Sequence, residues 1–225
     1  MYKNYFYLNR MITELNPIFT GMWLTEAFSQ EKDRLILNFT SNGNDKRILA
    51  VSTDQNLPYI NLRKEYCRAK KNTAEFFFDH LPDSLINIEI ATDDRIIRFN
   101  FTRMKLYFMI RGKDTNIILT DETGCFEPFK KIKPDLKEKI VSVINEKLYS
   151  PYFHKPEPDL INDEQDFQGK LKKLFPFIGK EILAEALARA KGNTDFAGIK
   201  FHLTEAINEI KEGIAVFYDD SLNKV

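Results

Sequence analysis

The sequence is poor in the residues that build covalent cross-links and metal centres. Of its 225 residues only two are cysteines, Cys67 and Cys125, and only three are histidines, His80, His154 and His202. The cysteines form no C-x-x-C pair, and no two histidines have the i, i+4 spacing of a helical metal site. A disulfide framework is therefore excluded, although one bond between the two distant cysteines stays open. We expect no metal site and no cofactor.

Long apolar runs and an excess of one charge are also missing. No stretch approaches the roughly 20 apolar residues of a membrane span, and residues 1–6 contain no signal-peptide core. With 33 basic and 33 acidic side chains the net charge is zero, so a uniformly basic sleeve for nucleic acid is excluded, whereas local patches are not. Hydrophobic residues make up 43% and charged residues 29%, as in globular proteins. We expect a folded cytoplasmic protein with a sizeable core.

The motifs of common catalytic sites are absent too. The sequence contains no G-x-x-x-x-G-K-[ST], G-x-S-x-G, H-E-x-x-H or G-x-G-x-x-G. The neighbouring carboxylates Asp93 and Asp94 resemble an acid–base pair, but they fall in a predicted hairpin turn, where acidic residues are common without catalysis. We expect a protein without enzymatic activity.

What the first half of the sequence does contain is one helical pattern followed by alternating segments. Apolar residues recur at helical spacing from Leu8 to Leu15, and Pro17 with Gly21 is predicted to end this helix. Period-two alternation with short turns then predicts antiparallel strands. Residues 73–78 are predicted to form a short helix between them. The predicted strands are residues 23–28, 34–40, 47–52, 85–90, 95–101, 105–110 and 116–120.

The second half changes to proline-rich and then helical patterns. A helix is predicted over residues 135–148, and further helices over 167–174, 180–190 and 201–212, the second of them ending at Gly192. These features indicate an α+β fold, an antiparallel sheet or sandwich followed by a small all-helical domain. The predicted domains are residues 1–128 for the sandwich, 129–163 for a proline-rich and acidic connector, and 164–225 for the helical domain.

One local basic patch has the composition of a nucleic-acid contact. Between residues 61 and 71, five cations surround Tyr66. Phosphates attract such cations, and an aromatic ring can stack on a base. The alternative is a solvated loop. A second patch near Lys130 is diluted by acidic residues, and we expect only solvated surface there. The five cations of the first patch are Arg63, Lys64, Arg68, Lys70 and Lys71.

A resemblance adds to this general interpretation. The segment 106–121, LYFMIRGKDTNIILTD, resembles a hairpin written ELMGRHSNIILTD in the NFACT family, whose members include bacterial RqcH, the proteins called fibronectin-binding protein A, and eukaryotic NEMF. Residues 11–16 with Gly21 resemble the opening helix and turn of the family. Residues 94–96 resemble its DRI motif, and residues 174–190 resemble its helical hairpin.

The sequence departs from the family pattern at two places. Gly112-Lys113-Asp114 stands where the family has glycine followed by an arginine–histidine pair. Residues 78–81 keep the histidine and leucine of the family's LRKHL-like run but lose its basic pair. Full-length relatives are expected to continue into a coiled coil and an RNA-binding domain.

The resemblance implies a non-enzymatic RNA-binding role in ribosome-associated quality control. NFACT proteins bind the large ribosomal subunit obstructed by peptidyl-tRNA, and bacterial RqcH recruits alanyl-tRNA for alanine tailing. The aspartate–arginine pair implicated in tRNA binding corresponds to Asp94 and Arg95. Arg111 and Lys113 of the hairpin join the basic patch as candidates for contacts to the RNA backbone.

Two other functions stay open. The older name of the family suggests a fibronectin-binding adhesin. The N-terminal region also resembles the β-sandwich and helix-two-turn-helix module of formamidopyrimidine-type DNA glycosylases, which suggests a catalytically dead, DNA-glycosylase-like nucleic-acid-binding domain. Those enzymes use the amine of a proline that follows Met1 as nucleophile. Because Tyr2 stands there in this sequence, glycosylase chemistry is not expected.

Overall fold

The computed structural model describes residues 3–43, 45–69, 71–152, 169, 178–190 and 196–212. The chain divides into two compact units, residues 1–154 and 155–225. The first unit combines one large antiparallel sheet with helices, which confirms the predicted α+β class. No helix in the described ranges is long and apolar enough to cross a membrane.

Helix α1 spans Tyr5–Phe19 and opens the first unit. It begins at Asn4, whose side-chain oxygen accepts hydrogen bonds from two backbone N–H groups of the first turn. The prediction that Pro17 with Gly21 ends this helix is confirmed, because the helix passes through the proline and ends at Phe19, two residues before Gly21. A proline near the end removes only one backbone hydrogen bond. The last residue of the helix, Phe19, is buried, and its ring centroid lies 4.9 Å from that of Phe39.

The strands of the first unit are β1 (Trp23–Glu31), β2 (Arg34–Thr40), β3 (Lys46–Ser52), β4 (Tyr59–Arg63), β5 (Ala74–Glu75), β6 (Asp83–Ala91), β7 (Ile96–Phe101), β8 (Met104–Met109), β9 (Asn116–Asp121), β10 (Phe126–Pro128) and β11 (Tyr149–Ser150). They form one antiparallel sheet in the order β10-β9-β8-β7-β6-β1-β2-β3-β4, with β11 paired to β6 and β5 to β1. All seven predicted strands are present, and β4, β5, β10 and β11 are additional.

The sheet folds over so that distant strands touch. Phe39 on β2 and Phe101 on β7 are three strand spacings apart along the path, about 14 Å in a flat sheet. Their rings nevertheless stack with centroids 6.3 Å apart. Beyond β10, the Lys130 Nζ donates to the carbonyl of Thr53 at 2.8 Å and to Asp33 Oδ1 at 3.3 Å. Turns that are far apart in sequence are thereby brought to one end of the unit.

Helix α2, Pro134–Glu146, covers part of the sheet. Its Ile144 is 2% exposed and belongs to a buried cluster with residues of β6 to β9. The helix was predicted over nearly the same residues, but as part of a separate connector. Residues 129–152 lie within the first unit instead, because α2 and β11 bury apolar side chains against the sheet.

The predicted short helix at residues 73–78 is wrong. Ala74–Glu75 pairs with β1 as strand β5, and a single 3-10 turn follows at Phe78–His80. The N–H of Phe76 donates to the carbonyl of Ala27 at 2.9 Å, which continues the extended pairing. Phe77 is 1% exposed in a left-handed conformation at φ 60°, so burial of its ring outweighs helical preference here.

The described part of the second unit contains helices α3 (Lys180–Arg189) and α4 (Phe196–Glu212). The two helices are joined by a bidentate pair, in which Arg189 donates to both carboxylate oxygens of Glu209 at 2.6 and 2.8 Å. Helix α4 begins five residues earlier than predicted. The predicted helix at 167–174, apart from Gly169, lies outside the described residues, and so does Gly192, the predicted end of the helix at 180–190. The helix-two-turn-helix topology therefore stays a prediction.

Candidate nucleic-acid interface

The predicted residues Asp94 and Arg95 lie in the β6–β7 turn, at one end of the sheet. Ile96 pairs with Met109, so the β6–β7 turn and the β8–β9 turn lie side by side. One carboxylate oxygen of Asp94 accepts a hydrogen bond from the backbone N–H of Arg95 at 2.7 Å. The other forms an ion pair with the guanidinium of Arg111 from the neighbouring turn. The aspartate therefore orients Arg111, a pairing that the resemblance to the DRI motif did not predict.

The guanidinium of Arg95 points elsewhere. Its Nη1 donates to the backbone carbonyl of Lys3 at 3.4 Å, and the side chain is partly exposed. Two arginine side chains thus flank the same turn, one held by a carboxylate and one by a backbone carbonyl. Each guanidinium has five N–H donors, so both arginines keep unused donors for a phosphate or a base edge.

The β8–β9 turn is built to present exposed cations. Gly112–Asp114 forms a single 3-10 turn, and Gly112 takes φ 58°, a conformation that a side chain would strain. The buried hydroxyl of Thr115 accepts a hydrogen bond from the N–H of Arg111 at 3.1 Å and fixes the start of the turn. Lys113 projects from it as an exposed side chain.

Lys113 also borders a cavity of about 670 Å³ between three turns. The β1–β2 turn contributes Lys32, and the segment after β10 contributes Lys131. Both lysines are exposed, whereas Lys130 is held by Asp33 and a backbone carbonyl. The patch near Lys130, expected to be only solvated surface, therefore lies at the same end of the molecule as the hairpin cations. Sequence analysis missed this grouping because the turns are distant in the chain.

The basic stretch 63–71 lies elsewhere. Arg63 ends β4 opposite Ile48, whereas the β3–β4 turn that borders the cavity lies at the other end of that strand. Arg68 is neutralised, because it pairs with Glu75 at 2.5 Å and with Glu26 at 3.7 Å. Its guanidinium also lies 4.8 Å from the ring centroid of Phe28. Lys64 and Lys71 are exposed, and Lys70 lies outside the described residues.

The family comparison covers nearly the whole chain. The model of the NFACT N-terminal and middle domains matches residues 4–218. The chain belongs to the NFACT family. The match includes both turns of the interface and the helices of the second unit. No curated protein sequence matches the chain.

Solved structures of similar fold are bacterial NFACT-type proteins. The fibrinogen binding protein from Staphylococcus aureus has a TM-score of 0.69 at 16% identity, covering 100% of this chain and 89% of that one. The N-terminal region of the fibronectin/fibrinogen-binding protein from Streptococcus suis has a TM-score of 0.61 at 18% identity, covering 96% and 87%. The N-terminal domain of PavA from Streptococcus pneumoniae has a TM-score of 0.53 at 17% identity, covering 91% and 79%. At these identities the likeness concerns the fold.

Proposed function

We propose that this NFACT chain is a non-enzymatic RNA-binding module that contacts tRNA through the turns around Asp94 and Arg111. The observation that carries the proposal is the ion pair between these two residues. It holds the Arg111 guanidinium in the same pair of turns as the exposed Lys113 and the partly exposed guanidinium of Arg95. A carboxylate that orients an arginine pre-organises it for a phosphate, because less side-chain freedom is lost on binding.

The charge distribution supports the same end of the molecule. Lys32, Lys113 and Lys131 line one cavity at the turns, while the stretch 63–71 contains a neutralised Arg68. An RNA backbone that passes over the turns would meet these cations in succession. Sequence-independent contacts of this kind release counterions, so affinity falls with salt.

The test is a fluorescence-anisotropy titration of labelled tRNA at several salt concentrations. The Arg95→Ala/Arg111→Ala variant should bind more weakly, and its log–log salt slope should be smaller by about 2, one for each lost phosphate contact. Arg68→Ala is the matched control, because it removes an arginine that is already paired, and it should leave both quantities unchanged. Equal loss in both variants, or a salt slope near zero for the unmodified chain, contradicts the proposal.

The ribosomal part of the proposal follows from the family. We infer that the chain acts in the cytoplasm in ribosome-associated quality control and binds large subunits that carry peptidyl-tRNA. Cosedimentation with purified large subunits, with and without peptidyl-tRNA, measures this. Preference for the obstructed subunit supports the role, and equal or no binding contradicts it.

A second candidate is binding of fibronectin or fibrinogen, which the names of the structural neighbours supply. Surface plasmon resonance on immobilised fibronectin and fibrinogen tests it directly. Saturable binding that is insensitive to Arg95→Ala/Arg111→Ala, together with no tRNA binding, would favour this candidate over the first.

A further inference from the structure

Three side chains with metal-binding chemistry meet near the β9–β10 turn. His80, Asp121 and Cys125 each offer one ligand atom, and these atoms all lie within 4.8 Å of one another. The His80 Nδ1 lies 3.8 Å from the Asp121 Oδ2, and its Nε2 lies 3.5 Å from the Cys125 Sγ. In a tetrahedral zinc site, bonds of 2.0–2.3 Å separate neighbouring ligand atoms by about 3.3–3.8 Å. Only one of the two ring nitrogens can bind the ion, so the 4.8 Å limit on one common set of ligand atoms is about 1 Å wider than this spacing, and binding requires a small inward movement of the side chains.

The fold holds Asp121 in a defined orientation. Its Oδ1 accepts hydrogen bonds from the N–H and hydroxyl of Thr123 and from the N–H of Cys125, at 2.8–2.9 Å. These bonds form the turn itself and leave Oδ2 facing His80. The same hydrogen bonds place Cys125 four residues later at the edge of the cluster.

The third ligand comes from a different part of the chain. His80 ends the 3-10 turn that follows the buried Phe77, and the N–H of Phe77 donates to Glu127 Oε1 at 3.2 Å. The carbonyl of His80 accepts a hydrogen bond from Arg103 at 3.4 Å. Contacts on both sides thus hold His80 against the β9–β10 turn, although Cys125 of that turn is 45 residues further along the sequence.

The surroundings favour a cation and leave room for a fourth ligand. A cavity of about 320 Å³ borders His80 and Asp121 and is also lined by the carboxylates of Asp79 and Glu122 and by the guanidinium of Arg103. The three carboxylates outnumber this guanidinium and attract a divalent ion, which would replace the thiol proton of Cys125.

We propose that His80, Asp121 and Cys125 form a three-ligand site for a zinc-type divalent transition metal, with a fourth position open to the neighbouring cavity. Mixed nitrogen, sulfur and oxygen donors suit Zn²⁺ and Co²⁺ rather than Mg²⁺ or Ca²⁺, which prefer oxygen alone. On binding, the Cys125 S–H bond breaks, the sulfur–metal bond forms, and the proton passes to solvent. Three protein ligands with one open position differ from the closed, four-ligand structural sites of zinc proteins.

The experiment is a Co²⁺ titration of the chelator-treated, reduced chain, followed by optical spectroscopy. A thiolate ligand produces a sulfur-to-cobalt charge-transfer band, and four-coordinate Co²⁺ gives intense visible bands. We expect one equivalent to bind with both features, and Zn²⁺ to displace the Co²⁺. Cys125→Ser should abolish the charge-transfer band and weaken binding by more than the about 10- to 100-fold typical of second-shell changes.

Cys67→Ser is the matched control, because Cys67 is an exposed free thiol outside the cluster. It should bind Co²⁺ like the unmodified chain, and His80→Ala should bind it weakly while circular dichroism reports an unchanged fold. A charge-transfer band that survives in Cys125→Ser but disappears in Cys67→Ser would overturn the proposal. The absence of any such band in the unmodified chain would overturn it as well.

Discussion

Asp94 forms an ion pair with Arg111, 17 residues away in sequence, while it binds its neighbour Arg95 only through the backbone N–H. The aspartate therefore fixes the guanidinium of the adjacent turn. The aspartate and arginine that are adjacent in the motif do not form an ion pair with each other. Substitution of Asp94 tests the contribution of Arg111 in the β8–β9 turn.

Asp94→Asn is expected to weaken tRNA binding about threefold to tenfold, that is by about 1 kcal/mol. The reason is loss of the charge-assisted contact that orients Arg111, even though the chain becomes more positive. Asp93→Asn makes the same change in net charge at an exposed position that pairs with Lys147 at 2.7 Å. It should bind tRNA equally or more tightly. If anisotropy titrations show that Asp94→Asn binds tRNA as tightly as Asp93→Asn or more tightly, net charge alone governs binding.

Asn16 clamps α1 to the middle of β6. Its Nδ2 donates to the carbonyl of Ile88 at 2.6 Å, and its Oδ1 accepts from the N–H of Ile88 at 2.7 Å. Asn16→Ala should lower the free energy of unfolding by about 1–3 kcal/mol, because two backbone groups lose their partner. Urea denaturation measures the change. Asn145→Ala, at an exposed position of α2, should stay within about 0.5 kcal/mol, and an equal effect of the two substitutions would contradict the clamp.

Glu89 on β6 and Arg98 on β7 form a partly buried ion pair, in which the side chains are 12% and 21% exposed. The Glu89 carboxylate also accepts a hydrogen bond from the Asn100 side chain at 2.7 Å. The Arg98 guanidinium lies 3.9 Å from the ring centroid of Tyr149. Arg98→Ala should destabilise the chain by about 3–5 kcal/mol, because it leaves a carboxylate buried and unpaired.

The double substitution Glu89→Met/Arg98→Met separates charge from packing. Since both charges of the pair disappear together, we expect it to recover most of the stability lost in Arg98→Ala. Thermal and urea unfolding of the three chains measure this. A double variant as unstable as Arg98→Ala would mean that the stacking of Arg98 on Tyr149, rather than the unpaired charge, dominates the loss.

Tyr5 makes stability depend on alkaline pH. Burial is the main cause that raises the pKa of its hydroxyl, which donates to the carbonyl of Thr92 at 3.3 Å. In the unfolded chain the pKa is about 10. The unfolded state therefore loses its proton first, so the stabilisation is complete below about pH 10 and is lost as pH rises above it.

In Tyr5→Phe the free energy of unfolding should consequently fall less steeply above about pH 10. A weaker slope persists, because burial also raises the pKa values of Tyr107 and Tyr149. Tyr152→Phe, at a residue that is 77% exposed, should retain the original slope. Urea unfolding at several pH values between about 8 and 11 measures it, and equal slopes for both substitutions would contradict the assignment.

The regular part of the fold was predictable because local rules govern it. Alternation of apolar and polar residues identified the central strands such as β2 and β3, and the adjacent pairing of consecutive strands follows from short turns. Pro17 with Gly21 located the end of α1 to within two residues, because helix breakers act locally. The helix predicted at residues 73–78 was wrong, since the buried ring of Phe77 fixes a left-handed backbone that no helical pattern indicates.

The candidate sites were only partly predictable because they depend on contacts between distant turns. Arg95 was identified through a motif, yet the partner of Asp94 required knowledge of which turn lies beside it. Arg68 was predicted to contact RNA because the sequence does not show its partners. Glu26 of β1 and Glu75 of β5 come close to it only when the two strands pair. Spacing rules could not group Cys125 with a histidine 45 residues earlier.

Strand β4 is the last strand on its side of the described sheet, and within the described ranges no other strand pairs with its outer edge. An open edge is a template on which another chain can extend the sheet, and charged side chains oppose that extension. Arg63 ends this strand and Lys64 follows it directly. The basic stretch 63–71 therefore places positive charges at the open edge of β4. Charges of the same sign on a second copy repel them, which opposes edge-to-edge aggregation.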